Sequence, residues 1–359
     1  MNPKLSASVS VVSLGKGQIE FFKTNTRQSV VICCNDERIL EVLDAFNGIE
    51  SLKEISIRLG IKQESLDNLA FFLRKRGILD NVVDVTLFKE YYKFRRVISF
   101  LNDFSTSSEN LLEMWNNIRS STVLIVGLGA VGSWVAINLV QSGVRNFILI
   151  DPDKVEVTNL HRQFGYGEKD IGRYKVDVIA DRLRMFENGV NVIQYKTFLE
   201  ESTLDSLGVS DVDLVINCAD KPNVDTTSRW IGRFCLEKDI PHIVGGGYNL
   251  HTSLIGQTIM PNQGACVRCF EKELADENDI DFSKVKKLAR PNRKIGSFGP
   301  MCALVASMTG IEALKVLTKS IVPANINRRG QFDVMTMQLE YKTYKRRLDC
   351  EWCGGDAKN

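Results

Sequence analysis

"VLIVGLGAVG", residues 123–132, runs from an apolar strand into glycines 127, 129 and 132, and the apolar helical segment "AVGSWVAINLVQSG" (130–143) overlaps its end. The strand-like "NFILID" (146–151) follows, so the order predicts a βαβ unit. A Gly-x-Gly-x-x-Gly is informative only in this setting, between a strand and a helix. The backbone N–H groups that open the helix face a ligand there, and the helix dipole favours a phosphate. The second strand ends in Asp151, 19 residues after Gly132, where a carboxylate can accept hydrogen bonds from ribose hydroxyls. To this point a redox dinucleotide and ATP fit equally well.

The alternation continues downstream. Val176, Ile179, Leu183 and Phe186 keep helical spacing over 172–187, "VIQYKT" (192–197) and "VDLVINC" (212–218) read as strands, a helix spans 222–237, and "HIVGG" (242–246) closes the series. The expected fold is α/β, a doubly wound, mostly parallel Rossmann-like sheet. Upstream the pattern differs. Three strand-like runs, "SVVSL" (10–14), "QIEFF" (18–22) and "SVVICC" (29–34), precede three helical segments over 35–48, 51–60 and 62–79. The first of these helices has Asn35 or Asp36 as cap and Gly48 as stop. Three strands and three helices describe a winged-helix-like domain whose outer strand can accept an added one. The organisation expected is a recognition domain at 1–84, a linker with dimer-contact helices at 85–120, and a nucleotide-binding domain at 121–359.

Lys and Arg total 46 against 44 Asp and Glu, so a net charge of +2 supplies no field for nucleic acid or an anionic membrane. Neither is expected as a partner. The N-terminus lacks a basic stretch followed by an apolar run and a small-residue cleavage site, and the expectation is a soluble cytoplasmic protein.

The residues after Asp151 separate the nucleotides. "PDKVEVTNLHRQFGYGEKDIGRYKVD" (152–177) carries Asn159, Arg162, Gln163 and Lys175. A pyrophosphate diester has two charges and needs few cations, whereas a triphosphate needs several charge-assisted donors, which Arg162 and Lys175 supply. Asp220 ends the segment "DLVINCAD" at the carboxyl edge of the sheet, a place for a carboxylate that organises Mg²⁺. Taken singly, each charge reads as a solvated loop residue; in this order they point to ATP.

The series from Gly-x-Gly-x-x-Gly through Asp-x-Asp (151–153), "NLHRQ" (159–163), "DIGRYK" (170–175) and "CAD" (218–220) resembles the ubiquitin-activating-enzyme-like adenylating superfamily. That superfamily includes the molybdopterin-synthase and thiamine-biosynthesis adenylyltransferases, and the resemblance covers roughly residues 90–355. By position it implies that Gly129 and Ala130, with Gly127 and Gly132, approach the phosphates and that Asp151 holds the ribose. It implies that Asn159, Arg162, Gln163 and Lys175 bind phosphate and that Asp220 positions Mg²⁺. Arg96 in "KFRRV" (93–97), with Arg95 beside it, matches an arginine lent by the partner subunit, which implies a homodimer.

Two further pairs, "CVRC" (Cys266, Cys269) and "CEWC" (Cys350, Cys353), can place four thiolates on one ion. A closed four-thiolate site indicates structural rather than catalytic zinc, and the superfamily carries zinc in the same arrangement. The segment 270–300, where some relatives keep a nucleophilic cysteine, contains none. Cys302, Cys218 and Cys235 read as packed core residues and His161 as a loop residue, so adenylation without an obligatory enzyme thioester is expected.

The N-terminal domain resembles the leader-peptide recognition elements of enzymes that modify ribosomally made peptides. Within the superfamily the whole is similar to the microcin C and pantocin A maturation enzymes. The resemblance implies ATP-dependent adenylation of a precursor-peptide carboxylate, at a C-terminus in the microcin type or a glutamate side chain in the pantocin type. The basic "KVKKLARPNRK" (284–294) favours the latter. The alternative is an adenylyltransferase that activates the C-terminus of a sulfur-carrier protein.

Overall fold

The computed structural model describes residues 2–80, 88, 90–249, 251–278 and 296–354. The basic segment 284–294, and most of the segment 270–300 that follows the first cysteine pair, lie outside the described residues. The chain divides into two units, Met1–Trp115 and Asn116–Asn359.

In the first unit β1 (Val9–Gly15), β2 (Gln18–Lys23) and β3 (Gln28–Cys33) form an antiparallel sheet in the order β1-β2-β3. Register puts Val11 opposite Phe21 and Phe21 opposite Val30, so one face of all three strands is apolar and packs inward. Helices α1 (Ile39–Ala45), α2 (Leu52–Leu59) and α3 (Gln63–Lys75) cover that face with Val42, Leu43, Ile55, Leu66 and Leu73, all buried. The first helix starts later than its sequence signal. Asp36 does not cap it but pairs with Arg38, accepting from its amide at 3.0 Å and its guanidinium at 2.6 Å. α2 is framed by a reciprocal cap between Ser51 and Glu54. Helices α4 (Tyr91–Asn102) and α5 (Ser108–Ser120) follow.

The second unit is built on a six-stranded sheet. Strands β4 (Thr122–Val126), β5 (Asn146–Ile150), β6 (Asn191–Tyr195), β7 (Leu214–Asn217) and β8 (His242–Val244) run parallel, with helices α6 (Gly132–Gln141), α7 (Lys175–Phe186), α8 (Thr203–Ser206) and α9 (Val224–Glu237) between them. After β9 (Gly247–Asn249) and β10 (Thr252–Ile255), a short antiparallel β11 (Thr258–Ile259) edges the sheet, giving the order β11-β8-β7-β4-β5-β6. The order reverses between β4 and β7, which opens a crevice at their carboxyl ends. Helix α10 (Val267–Asn278) precedes α11 (Gly299–Thr318), and β12 (Arg328–Asp333) and β13 (Gln338–Thr343) complete a second, antiparallel sheet, β13-β12-β10-β9. That sheet has no counterpart in the sequence reading. α11 is long and apolar enough to cross a membrane, but 61% of its most apolar window is buried inside the protein. Glu312 fixes it, accepting from the Asn325 amide at 2.7 Å and from Thr258 Oγ1 at 3.0 Å.

His242 on β8 is 2% exposed, and burial holds its pKa down to about 4, against a contact with the Ile240 backbone. The unfolded imidazole titrates near 6.5, so the folded state resists the proton, and stability present above that pH is lost as pH falls toward 4. Chemical denaturation at pH 7 and pH 5 is expected to show a loss of about 2 kcal/mol from this group, a loss that His242→Leu removes. Equal pH slopes in the two proteins would refute it.

Candidate functional site

The site begins with backbone. Gly127 ends β4 at φ +87°, and a Cβ on it would lie 2.6 Å from the Cys218 carbonyl oxygen, so only glycine lets the loops after β4 and β7 touch. A Cβ on Gly132 would lie 1.9 Å from the Gly127 carbonyl oxygen, which is how tightly α6 closes on the loop. Gly129 differs. A Cβ there meets nothing within 4 Å, so the middle of the loop faces open space at the head of α6, with Ala130 next to it. Tyr166, buried, donates its hydroxyl to the Leu128 carbonyl at 2.7 Å and braces the loop. Burial, then the charges of Asp151, Asp153 and Asp170, pushes its pKa well above the usual tyrosine value, so it stays a donor.

Asp151 hangs beneath the loop, 5% exposed. Its Oδ2 accepts from the Leu128 amide at 2.6 Å and its Oδ1 from the Asp153 amide at 2.8 Å. Burial raises its pKa; nearby Lys175 and the two amides act against that. Lys175, also 5% exposed, opens α7 and reaches Asp153 Oδ2 at 3.1 Å. Asp153 feels burial, which pushes its carboxyl up, but Lys175 and Lys221 together hold it below its ordinary value. Asp151, Asp153 and Lys175 thus form one chain of contacts under the glycine loop.

The polar insertion doubles back on itself. Val155 donates its amide to the Arg173 carbonyl and accepts the Gly172 amide on its own carbonyl, both at 2.9 Å. That brings 153–156 alongside 172–175. Asn159 closes a 3₁₀ turn, accepts the Glu156 amide on Oδ1 at 3.0 Å, and takes the Arg162 and Gln163 amides on its carbonyl. Gln163 is 4% exposed, and its Oε1 has no partner among the described residues, a buried polar atom of the kind a bound ligand satisfies. Arg162 Nη1 donates to Thr158 O at 2.7 Å and meets His161 Nε2 at 3.2 Å, while its charge acts on Cys302 in the first turn of α11. Asp220 is exposed in the loop after β7, two residues beyond Cys218, whose carbonyl meets Gly127. Arg96 lies exposed on α4, in the first unit.

Burial pushes the Cys218 thiol up to about 12 and raises Cys235 and Cys302 as well, although a Ser297 hydroxyl and Arg162 oppose it at Cys302. None of the three is tuned as a nucleophile. Sequence reasoning gave no role to Tyr166, Asp153, Lys221 or the stack of Trp134 on Phe164, whose ring centroids are 4.0 Å apart. Only Asp153 left a signal, as the second acid of Asp-x-Asp.

Cys266, Cys269, Cys350 and Cys353 bring their four Sγ atoms within 4.8 Å of one another, with contacts of 3.3, 3.6 and 3.8 Å. Four sulfurs about 2.3 Å from a central ion stand about 3.8 Å apart in a tetrahedron, so the donor set fits a closed thiolate metal site. The Arg347 amide donates to Cys269 Sγ at 3.4 Å, and Arg346 clasps the Cys353 carbonyl at 2.6 Å. These bonds fix the tail against α10.

The glycines make separable predictions. Gly132→Ala drives a Cβ into the Gly127 carbonyl and is expected to cost about 2–3 kcal/mol of stability in denaturant titration. Gly129→Ala meets open space, so melting is expected to stay put while ATP binding by calorimetry weakens about tenfold. Unchanged ATP affinity in Gly129→Ala would remove the loop from the nucleotide site.

Residues 104–352 match the sequence model of the ThiF family. Among curated relatives, the molybdopterin-synthase adenylyltransferase of Escherichia coli is 27% identical over 66% of this chain and 88% of its own length. The sulfur carrier protein ThiS adenylyltransferase of the same organism is 27% identical over 74% and 96%. Among solved structures, E. coli MccB with ATP superimposes at a TM-score of 0.77 and 20% identity, covering 99% of this chain and all of that one. PaaA superimposes at 0.74 and 21% identity over 94% and 99%. These two likenesses show the shared fold, N-terminal unit included. The family match spans most of the sequence: this chain belongs to the ThiF family and is an ATP-dependent adenylating enzyme.

Proposed function

We propose that this enzyme adenylates a carboxylate of a ribosomally made precursor peptide, in the biosynthesis of a peptide natural product. The observation that carries the reading is the N-terminal unit. The curated relatives cover 66% and 74% of the chain and the family match begins at residue 104, while MccB is matched along essentially the whole length. MccB is described as the microcin C7 biosynthetic enzyme and was solved with N-formylated MccA. In the recognition domain proposed at 1–84, β3 is an edge strand of its sheet among the described residues, with Val31 half exposed, and would pair with an extended peptide.

Chemistry follows from the charges under the glycine loop. The peptide carboxylate attacks the α-phosphorus of ATP, an acyl-adenylate forms and pyrophosphate leaves. Gly127, Gly129, Ala130 and Gly132 let the backbone approach phosphate, Asp151 takes the ribose, and Asn159 and Gln163 bind phosphate oxygens. Arg162 and Lys175 neutralise charge that moves onto the leaving group. Asp220 would hold Mg²⁺, which supplies further neutralisation. Arg96 reaches the site of a second copy in a homodimer. The four cysteines hold structural zinc, with no open coordination position.

A second reading is activation of a sulfur-carrier protein, as both curated relatives are named for that chemistry or for molybdopterin synthase. ATP–pyrophosphate exchange separates the two. Exchange is expected with short peptides encoded beside this gene, to fall at least about a hundredfold in Lys175→Ala and Asp220→Ala, and to be lost on deletion of residues 1–80. Exchange driven by a Gly-Gly protein terminus and indifferent to that deletion would favour the second reading. Metal analysis is expected to find one zinc per chain, with Cys353→Ser losing it and exposing the C-terminal segment to protease.

A further inference from the structure

Lys221 follows Asp220 in the loop after β7. Its Nζ lies 3.2 Å from Asp153 Oδ1 and 3.5 Å from Asp153 Oδ2. Lys175 Nζ lies 3.1 Å from that same Oδ2. Two ammonium groups from different segments therefore share one carboxylate oxygen. Their surroundings differ: the Lys175 side chain is 6% exposed and the Lys221 side chain 60%. Asp153 itself is anchored through its amide to Asp151, whose other oxygen holds the Leu128 amide of the glycine loop. Lys221 is thus linked to the loop by an unbroken series of hydrogen bonds, at the point where the strand order reverses.

We propose that Lys221 is a second nucleotide-directed cation, held by Asp153 beside Lys175 and released from it onto the polyphosphate of bound ATP. The proposal rests on ATP binding at the glycine loop. An ion pair as exposed as Lys221 with Asp153 contributes little, so it is exchanged readily. Two like charges on one carboxylate repel each other, and a polyphosphate with several charged oxygens satisfies both where Asp153 satisfies them only jointly. Lys175, buried, keeps its place during this exchange. Lys221, on the exposed side, is the one free to swing.

Calorimetry on the full chain with ATP, AMP and inorganic pyrophosphate tests this. Lys221→Met is expected to raise the dissociation constants for ATP and pyrophosphate about tenfold and that for AMP less than about twofold, while Lys221→Arg stays within about threefold of wild type. The exposed position predicts an unchanged melting temperature. Equal losses for ATP and AMP overturn the proposal, and so does unchanged ATP and pyrophosphate affinity with a raised KM for the peptide, which would turn Lys221 toward a substrate carboxylate. Wild-type protein that binds no ATP would remove the adenylation reading itself. Wild-type binding with no change in Lys221→Met removes this inference alone.

Discussion

Two stretches of bare backbone touch at the centre of this enzyme, and the site is built around that contact. The Gly127 α-carbon sits against the Cys218 carbonyl, and Gly132 sits against the Gly127 carbonyl, at distances that no side chain tolerates. Because the loops after β4 and β7 meet there, the helix-opening amides, the Asp151 carboxylate and the loop bearing Asp220 come to one edge of the sheet. Asn217 reinforces the second loop, its Nδ2 reaching Thr227 and Ser228 and its Oδ1 accepting the Ala219 amide at 3.1 Å. Remove the close approach and the crevice loses one of its walls.

Much of this is legible in the amino-acid sequence. The parallel strands β4, β5 and β7 are runs of apolar residues, and α7 repeats at helical spacing, patterns that burial on both faces of a sheet imposes. The antiparallel sheet was not legible for the opposite reason. β13 is "QLEYKT" with every position exposed, β9 is three residues long, and neither alternates in a way that separates a strand from a loop. Within the site, Asp151 and Lys175 could be read from their places at the end of a strand and the start of a helix. The bond between Lys221 and Asp153 spans 68 residues, and the Tyr166 brace joins a loop to a carbonyl 38 residues away. Contacts of that kind arise from tertiary folding and leave no local pattern.

The electrostatics of the crevice follow one theme. Among the described residues, buried Asp151 is held by hydrogen bonds from two amides and by the charge of a neighbouring lysine rather than by an ion pair of its own. Asp153 is shared between two lysines. Among the described residues Arg162 is bonded to a carbonyl and an imidazole nitrogen. Cations that are held lightly, by shared or neutral acceptors, can turn to an incoming anion without first breaking a strong buried pair. The buried Glu187, gripped by Arg119 at 2.8 Å and Arg145 at 3.0 Å, shows the contrasting structural use of charge in the same unit.

Contact between the sulfurs of Cys266 and Cys350, 84 positions apart, turns the intervening chain into a closed loop. Closure entropy rises only with the logarithm of contour length, about 0.6 kcal/mol for each doubling. Residues can therefore be inserted or deleted between the pairs at small thermodynamic cost while the pairs themselves stay joined.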